Sequence, residues 1–337
     1  MSDSKTIIFD KRVFLTTEKE AGLRIDKFLP GKLPGLSRSL IQKLIKAGHV
    51  TIDGVICRQN TRIVESQSII VEIALPDDYE MKPQEITLEI LYEDDDIVAV
   101  NKPPGLVAHP APGHFDGTLV NAMLHHCKQL SDVAGDLRMG IVHRLDKETS
   151  GIMVMAKNNQ AHEGLALQFR DRTLQKEYLA IAEGELRFDS DIIDLPLGRH
   201  FRDRKKFAVV FGAGKESKSR YSVLERFDGF TLVAVAPKTG RTHQIRVHLQ
   251  SLGHPVICDG YYGFRRKVRR RDLIPLEVAR QMTSDQLDQI LLNRQALHAH
   301  RLDFTHPITG KAISLHAPMP PDMQSVLDLL RQYKKKG

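Results

Sequence analysis

Apolar residues recur along the chain with two periods, and each period marks a different kind of element. In Leu36-Ser-Arg-Ser-Leu-Ile-Gln-Lys-Leu-Ile-Lys-Ala-Gly48 the pairs Leu40/Ile41 and Leu44/Ile45 fall on one face of a helix. Ser37 can cap the first turn with its hydroxyl, and Gly48 can take the left-handed conformation that ends a helix, so a short amphipathic helix is predicted. Its outward positions are Arg38, Lys43 and Lys46, and no acid occurs between Asp26 and Asp53. Residues 49 to 56 alternate around Asp53-Gly54, the signal of a two-residue hairpin turn. Residues 13 to 22 read as an edge strand and turn, and residues 68 to 73 as a further strand. Residues 76 to 84 carry prolines and acids without an apolar period, which marks a linker.

A longer region follows. Residues 97 to 100 are continuously apolar and stop at Pro103-Pro104, as a buried strand does. Leu119, Ala122 and Met123 have helical spacing, residues 152 to 156 look like a strand, and Ala161, Leu165 and Phe169 predict a helix over 160 to 170. Residues 173 to 182 alternate as a strand, and 231 to 236 form another. Ile245, His248, Leu249 and Leu252 keep helical spacing until Gly253 and Pro255 end it. A helix is predicted over 275 to 293, with Leu287, Ile290 and Leu291 on one face. Two closing strands at 295 to 299 and 311 to 316 precede a last helix, capped by Asp322 and bearing Met323, Val326, Leu327 and Leu330. Strands with intermittent helices, in neither βαβ alternation nor a sandwich pattern, indicate an α+β fold with a mixed or antiparallel sheet. The predicted organisation is a small α+β domain over 13–75, a linker over 76–86 and a large domain over 87–333.

Charge adds a partner to this picture. The 337 residues carry a formal net charge of +7, so the protein attracts polyanions, nucleic acid before anionic membrane. No apolar run approaches the roughly 20 residues of a spanning helix, and the first residues lack a signal-peptide core, so no membrane partner is expected. Cys57, Cys127 and Cys258 are isolated and odd in number, which points away from a disulfide framework and towards a reducing cytoplasm. The 15 histidines show no HExxH or clustered Cys/His spacing, so no metal is expected.

The densest candidate chemistry lies in Gly140-Ile-Val-His-Arg-Leu-Asp-Lys-Glu-Thr-Ser-Gly151. Asp146 stands among His143, Arg144 and Lys147, whose charges favour a carboxylate over a carboxylic acid. Such an anion suits nucleophilic or electrostatic work better than proton donation. The same tetrapeptide would also suit a surface turn with an ion pair. Two further stretches are basic: residues 199 to 220, read as an exposed loop or hairpin, and Arg265 to Arg271, with six bases in seven positions. The second kind of block is usually a solvated loop.

The string around His143-Arg-Leu-Asp146 closely resembles the signature of pseudouridine synthases of the RluA/RluD type. Asn101-Lys102-Pro103 with Gly105-Leu-Val-Ala-His109-Pro, Lys176-Glu-Tyr178 and Gln244-Ile-Arg-Val-His248 match the same family, so the resemblance covers nearly the whole chain. It implies a long, bisected mixed sheet with the catalytic loop in a cleft across its middle. It also implies Asp146 as nucleophile, Arg246 as its ionic partner and Tyr178 lining the site against uracil. Arg144 is the residue expected to fill the gap left by an extruded base. The implied isomerisation of uridine in RNA needs no cofactor.

Residues 23 to 75 are similar to the alpha-L RNA-binding motif of a small-subunit ribosomal protein and of tyrosyl-tRNA synthetases. They depart from it at Asp53, where Asn is common, and at Glu65-Ser66, where Gly-Asp is usual. Phosphate contact is expected from Arg38, Lys43, Lys46, His143, Arg204, Lys205, Arg241, Arg266 and Arg269. The combination resembles large-subunit ribosomal RNA enzymes more than tRNA ones, so the expected partner is a 23S-type rRNA or a pre-ribosomal particle, bound by a monomer. Two other classes share parts of the pattern. A non-catalytic RNA-binding assembly factor would not need Asp146, Tyr178 and Arg246 together, and a metal-dependent phosphoesterase would carry metal.

Overall fold

The computed structural model describes residues 8–33, 36–74, 79–111, 114–203 and 205–335. It divides the chain into two units. The first takes Met1–Ile86, His109–His126 and Asp136–Arg138; the second takes Thr87–Ala108, Cys127–Gly135 and Met139–Gly337.

In the first unit, β1 (Ile8–Leu15) is followed by α1 (Ile25–Lys32), α2 (Arg38–Lys46), β2 (Val50–Ile52), β3 (Val55–Ile56) and β4 (Ser68–Ala74). The strands form a sheet in the order β1-β4-β2-β3, so β1 is an edge, as the pattern predicts. Ser37 Oγ accepts the Leu40 N–H at 3.2 Å, and Gly48 has a φ of 82° just past the end of α2. Leu40, Ile41, Leu44 and Ile45 are buried with Ile25, Leu29, Ile63 and Val71. Each fully buried aliphatic side chain contributes about 1.5–3 kcal/mol, and a helix this short is held by that packing rather than by its own propensity.

Asp53 and Gly54 both have positive φ, 50° and 83°, as a two-residue hairpin turn requires. The Asp53 carboxylate accepts the Ser68 N–H at 2.8 Å and Gln67 Nε2 at 3.2 Å, tying the turn to the start of β4. This accounts for an acid at a position where the motif often carries Asn. Residues 79–86 contain no helix or strand. They are held to the segment before and within α3 (Leu119–His126), where Tyr79 donates to the Phe115 carbonyl at 2.7 Å and Asn121 Nδ2 to the Lys82 carbonyl at 2.8 Å.

The second unit runs β5 (Glu89–Glu93), β6 (Ile97–Lys102), β7 (Ser150–Ala156), α4 (Asn159–Asp171), β8 (Gln175–Glu183), β9 (Ser190–Asp194), β10 (Leu197–Arg199), β11 (Phe207–Val209), β12 (Lys218–Phe227), β13 (Phe230–Pro237) and α5 (Gln244–Ser251). It closes with β14 (Val268–Arg269), α6 (Leu276–Ala279), α7 (Ser284–Asp288), β15 (Ile290–Leu292), β16 (Leu297–Thr305), β17 (Ala312–His316) and α8 (Pro321–Tyr333). Among the described residues the main sheet has nine strands in the order β5-β6-β7-β16-β8-β13-β12-β9, with β17 paired to β16. Every pairing in it is antiparallel except β7 with β16, which is parallel and only two residues long. Beyond Ala299 the same edge of β16 passes to β17, starting at Arg301. The sheet is therefore mixed, and it splits where β7 leaves it.

Gly151 sits at that split with a φ of 112°, and a β-carbon there would lie 2.2 Å from the Ala299 carbonyl oxygen. Gly151→Ala must therefore strain the backbone and push the two strands apart. We expect a loss on the order of 3 kcal/mol, read as a lower urea midpoint. A variant as stable as the parent would show that the crossing tolerates a side chain.

Two predicted elements are corrected. The helix expected over 275–293 is α6, α7 and β15. Thr283 Oγ1 accepts the Gln286 N–H at 3.3 Å while Gln286 Oε1 accepts the Thr283 N–H at 2.9 Å, a capping box that starts a new helix. Ile290 and Leu291 then belong to a strand paired with β14. Asp322 does not cap the last helix: Pro320 is the N-cap, and the Asp322 carboxylate takes the Arg294 guanidinium at 2.6 and 2.7 Å. The basic stretch 199–220 contains the β10–β11 hairpin, but Lys218 and Arg220 lie within β12. No helix among the described residues is long and apolar enough to cross a membrane, and the three cysteines are free and buried.

Candidate active site

The loop from Ile141 to Thr149 enters β7 at the split in the sheet, and buried groups grip its backbone. Lys102, 0% exposed at the end of β6, donates from Nζ to the carbonyls of Pro103 (2.8 Å), Leu106 (3.0 Å) and Lys147 (3.1 Å). Burial pulls its pKa down to about 7, with the Glu148 charge acting the other way. Arg294 Nη1 donates to the Glu148 carbonyl at 3.1 Å, and Gln295 Nε2 to Thr149 Oγ1 at 2.8 Å. Two cations thus hold consecutive carbonyls, and the position of Asp146 follows from groups remote in sequence. The short peptide Asn101-Lys102-Pro103 was the only sequence signal for Lys102, and nothing singled out Arg294.

Asp146 lines a cleft of about 120 Å³, together with Arg144, Lys176, Tyr178, Arg241, His243 and Arg246. It is the one acid among the described residues lining that cleft. Its Oδ2 accepts from Arg246 Nη1 at 2.7 Å, in the first turn of α5. The rest of the Arg246 guanidinium is taken by Asp259, with Nε to Oδ2 at 2.6 Å and Nη2 to Oδ1 at 2.8 Å. Arg246 is 3% exposed and Asp259 0%. Burial alone would raise the Asp259 pKa, but the Arg246 hydrogen bonds and charge, with the Tyr261 and Tyr262 amides, hold it below the usual carboxylate value. Arg246 stays charged for the matching reason, its burial outweighed by two carboxylates. The rings of Tyr261 and Tyr262 lie 5.5 and 5.2 Å from its guanidinium carbon. Asp259 went unassigned at the sequence level, although it opens the Asp259-Gly-Tyr-Tyr-Gly stretch.

Tyr178 faces the cleft from β8. Burial, then the Asp146 charge, push its pKa upward, so the phenol is neutral. His243, the N-cap of α5 with a φ of 58°, has Nδ1 2.8 Å from the Tyr262 hydroxyl and Nε2 3.8 Å from Asp146 Oδ2. Arg144 is exposed at the rim.

The residues expected to contact RNA are placed unequally. Arg38, Lys43 and Lys46 are exposed on α2 in the first unit. In the second, Lys205 and Arg266 are exposed, Arg241 lines the cleft with Nε on the Glu216 carbonyl at 3.2 Å, and Arg204 lies outside the described residues. Arg269 is held by Asp288 at 3.2 Å, and the neighbouring Arg265 by Glu183 at 2.6 Å, so the basic block is partly neutralised internally. His143 accepts the Val154 N–H on Nε2 at 3.0 Å and stacks on Phe169 at 4.5 Å. Burial takes its pKa down to about 3. A neutral imidazole there fastens the loop to the open edge of β7 and offers no cation to a phosphate.

The sequence profile described as RNA pseudouridylate synthase matches residues 96–251, and that of the S4 domain matches residues 23–69. An uncharacterized RNA pseudouridine synthase of Bacillus subtilis (strain 168) is 39% identical over 316 residues, 94% of this chain and 97% of its own length. The chain belongs to the RNA pseudouridine synthase family. The synthase is also 42% identical over 311 residues to ribosomal large subunit pseudouridine synthase D of Pseudomonas aeruginosa, covering 92% of this chain and 93% of that one. The enzyme of the same name from Zymomonas mobilis is 40% identical over 318 residues, covering 93% and 96%. Among solved structures, human RNA pseudouridylate synthase domain containing 4 superposes with a TM-score of 0.53 at 27% identity, over 72% of this synthase and 93% of that chain. The α+β fold with an N-terminal S4 domain, expected from the motifs, is the fold of this synthase.

Proposed function

We propose that this synthase isomerises uridines of large-subunit ribosomal RNA, using Asp146 as the nucleophile on a base turned out of the RNA. The observation that carries the mechanism is the Asp146 carboxylate, alone among the acids of the cleft, held at one oxygen by a guanidinium whose other donors Asp259 occupies. A partly buried ion pair of this kind adds little stability for its desolvation cost; its use is to aim the carboxylate. Asp146 acts at C1′ of the ribose as the C1′–N1 bond breaks, and the uracil leaves with that electron pair. The ring turns against Tyr178, C5 bonds to C1′ as the Asp146 carboxylate is released from that carbon, and the proton lost from C5 is matched by one gained at N1. Reactant and product have the same atoms and oxidation level, so the reaction consumes no co-reactant. Extruding the base costs a few kcal/mol, and the exposed Arg144 takes its position in the RNA.

The ribosomal substrate rests on the relatives named as large-subunit enzymes and on the exposed cations of α2. Pseudouridine mapping in cells lacking the gene tests it: sites should disappear from large-subunit rRNA, and losses confined to tRNA would refute it. The α2 surface has its own test. Arg38→Gln with Lys43→Gln and Lys46→Gln should weaken RNA binding and flatten its log–log salt dependence by about 2–3 units, because each lost phosphate contact removes about 0.7–0.9 of slope. An unchanged slope would remove α2 from the interface.

A further inference from the structure

Lys176 and Tyr178 are two residues apart on β8, so their side chains leave the same face of the strand, and both line the cleft. Tyr178 has a role in the reaction; Lys176 has none so far. It is partly buried, and among the described residues its ammonium has no hydrogen-bond acceptor or ionic partner. Burial and then the nearby Arg172 charge both depress its pKa, with no carboxylate acting the other way. Structural lysines in this unit look different. Lys102 spends its three donors on three carbonyls, and Lys157 binds Glu93 at 3.0 Å and the Asp94 carbonyl at 2.6 Å. Lys176 Nζ instead points towards Gly240, 3.9 Å from where a β-carbon would stand, and Arg241 beside that glycine also lines the cleft. The cleft therefore has two chemically distinct parts. At one, Asp146 is matched by Arg246; at the other, Lys176 and Arg241 line the cleft with no ion pair to a carboxylate among the described residues.

We propose that Lys176, with Arg241 beside it, binds the backbone phosphate flanking the target uridine. The proposal rests on reading the cleft as the uridine site. A nucleotide with its C1′ at Asp146 and its base on Tyr178 carries a phosphodiester on each side of the ribose, and the RNA offers no other anion. A partly desolvated ammonium without an acceptor gains a charge-assisted hydrogen bond when such a phosphate arrives, and recovers the solvation it gave up on folding. Phosphate contacts position rather than specify. Lys176 would thus set how far the extruded nucleotide enters, whichever sequence surrounds it.

The test uses the full-length synthase and a synthetic RNA containing a mapped target uridine, with each flanking phosphate replaced in turn by an uncharged methylphosphonate. For the parent enzyme, one of the two replacements should weaken binding about tenfold. Lys176→Met should lose about as much on the natural RNA and nothing further on the neutral linkage, while Lys176→Arg keeps most of the affinity. The salt dependence of Lys176→Met should flatten by about 0.7–0.9 of slope, with a rise in KM. Additive losses, an unaffected Lys176→Met, or a fall in kcat at unchanged KM would each overturn the proposal. If Lys176→Met does not fold, the parent enzyme alone decides: indifference to both methylphosphonates is equally fatal. These readouts concern binding, so an active Asp146→Asn enzyme would refute the nucleophile and leave them standing.

Discussion

Asp146→Asn should abolish pseudouridine formation, with a loss of at least about a thousandfold, while fold and RNA affinity survive. Asparagine has nearly the same shape and keeps an oxygen for Arg246 Nη1, so the 2.7 Å contact can persist. What disappears is the anion proposed to attack carbon. Little stability is at stake, because the Asp146 side chain is 22% exposed and Arg246 retains its two bonds to Asp259. Nucleoside analysis of RNA incubated with the variant measures conversion, and a gel-shift titration measures binding. Conversion at the parental rate would sink the nucleophilic role, whatever the binding shows.

Arg246→Met should be damaging in a different way. Methionine fills much of the space but leaves Asp259, wholly buried, without its counter-charge. Removing one member of a buried pair costs about 3–5 kcal/mol, more than most single substitutions. The pH dependence identifies the cause. In the parent, Asp259 has a pKa below 3.8, so its contribution is fully present above that value and lost as the pH falls through the lower folded pKa. In the variant, burial is opposed only by the two tyrosine amides, and the pKa should rise above 3.8 instead. The stability of Arg246→Met should therefore decline as the pH rises from about 4 towards neutrality, the reverse of an acid-labile carboxylate. Urea melts at the two ends of that range report it. Adding Asp259→Asn should restore part of the stability and none of the activity, because Asp146 still lacks its guanidinium. A double variant with restored activity would show that Arg246 serves only to neutralise Asp259.

Lys102 and Arg294 extend the same logic to the backbone of the loop. An attacking carboxylate must be held within a fraction of an ångström, and loops are mobile by default. Here the carbonyls of Lys147 and Glu148 are each bound by a cation from another element, and His143 binds the Val154 amide. The family resemblance draws attention to the carboxylate; these contacts explain how the chain keeps it in place.

Elements with a local cause were readable before any coordinates. The cap and apolar stripe of α2, the Asp53-Gly54 turn, the alternation that puts Tyr178 on β8 and the Gly253 stop of α5 all follow from residues within a few positions of one another. Where a prediction failed, a local signal had been misjudged or a distant partner intervened. The apolar spacing of Leu287, Ile290 and Leu291 ran through a capping box at Thr283. Asp322 looks like a cap until Arg294 is seen to occupy it.

The amino-acid sequence by itself determined the α+β character, the exposed basic face of α2 and the membership in the synthase family, because each depends on periodicity, charge or a contiguous motif. Tertiary structure alone decided which charges are free to act. Asp146 and Arg246 are 100 residues apart, and Asp259 completes the pair from a third segment. Arg269 reads as a phosphate contact in a string of bases yet is held by Asp288, as its neighbour Arg265 is by Glu183, whereas Lys176, given no role of its own by the sequence, lines the cleft without a partner among the described residues. Whether a charge is satisfied depends on what lies within a few ångströms of it, and in a folded chain those neighbours come from anywhere in the sequence.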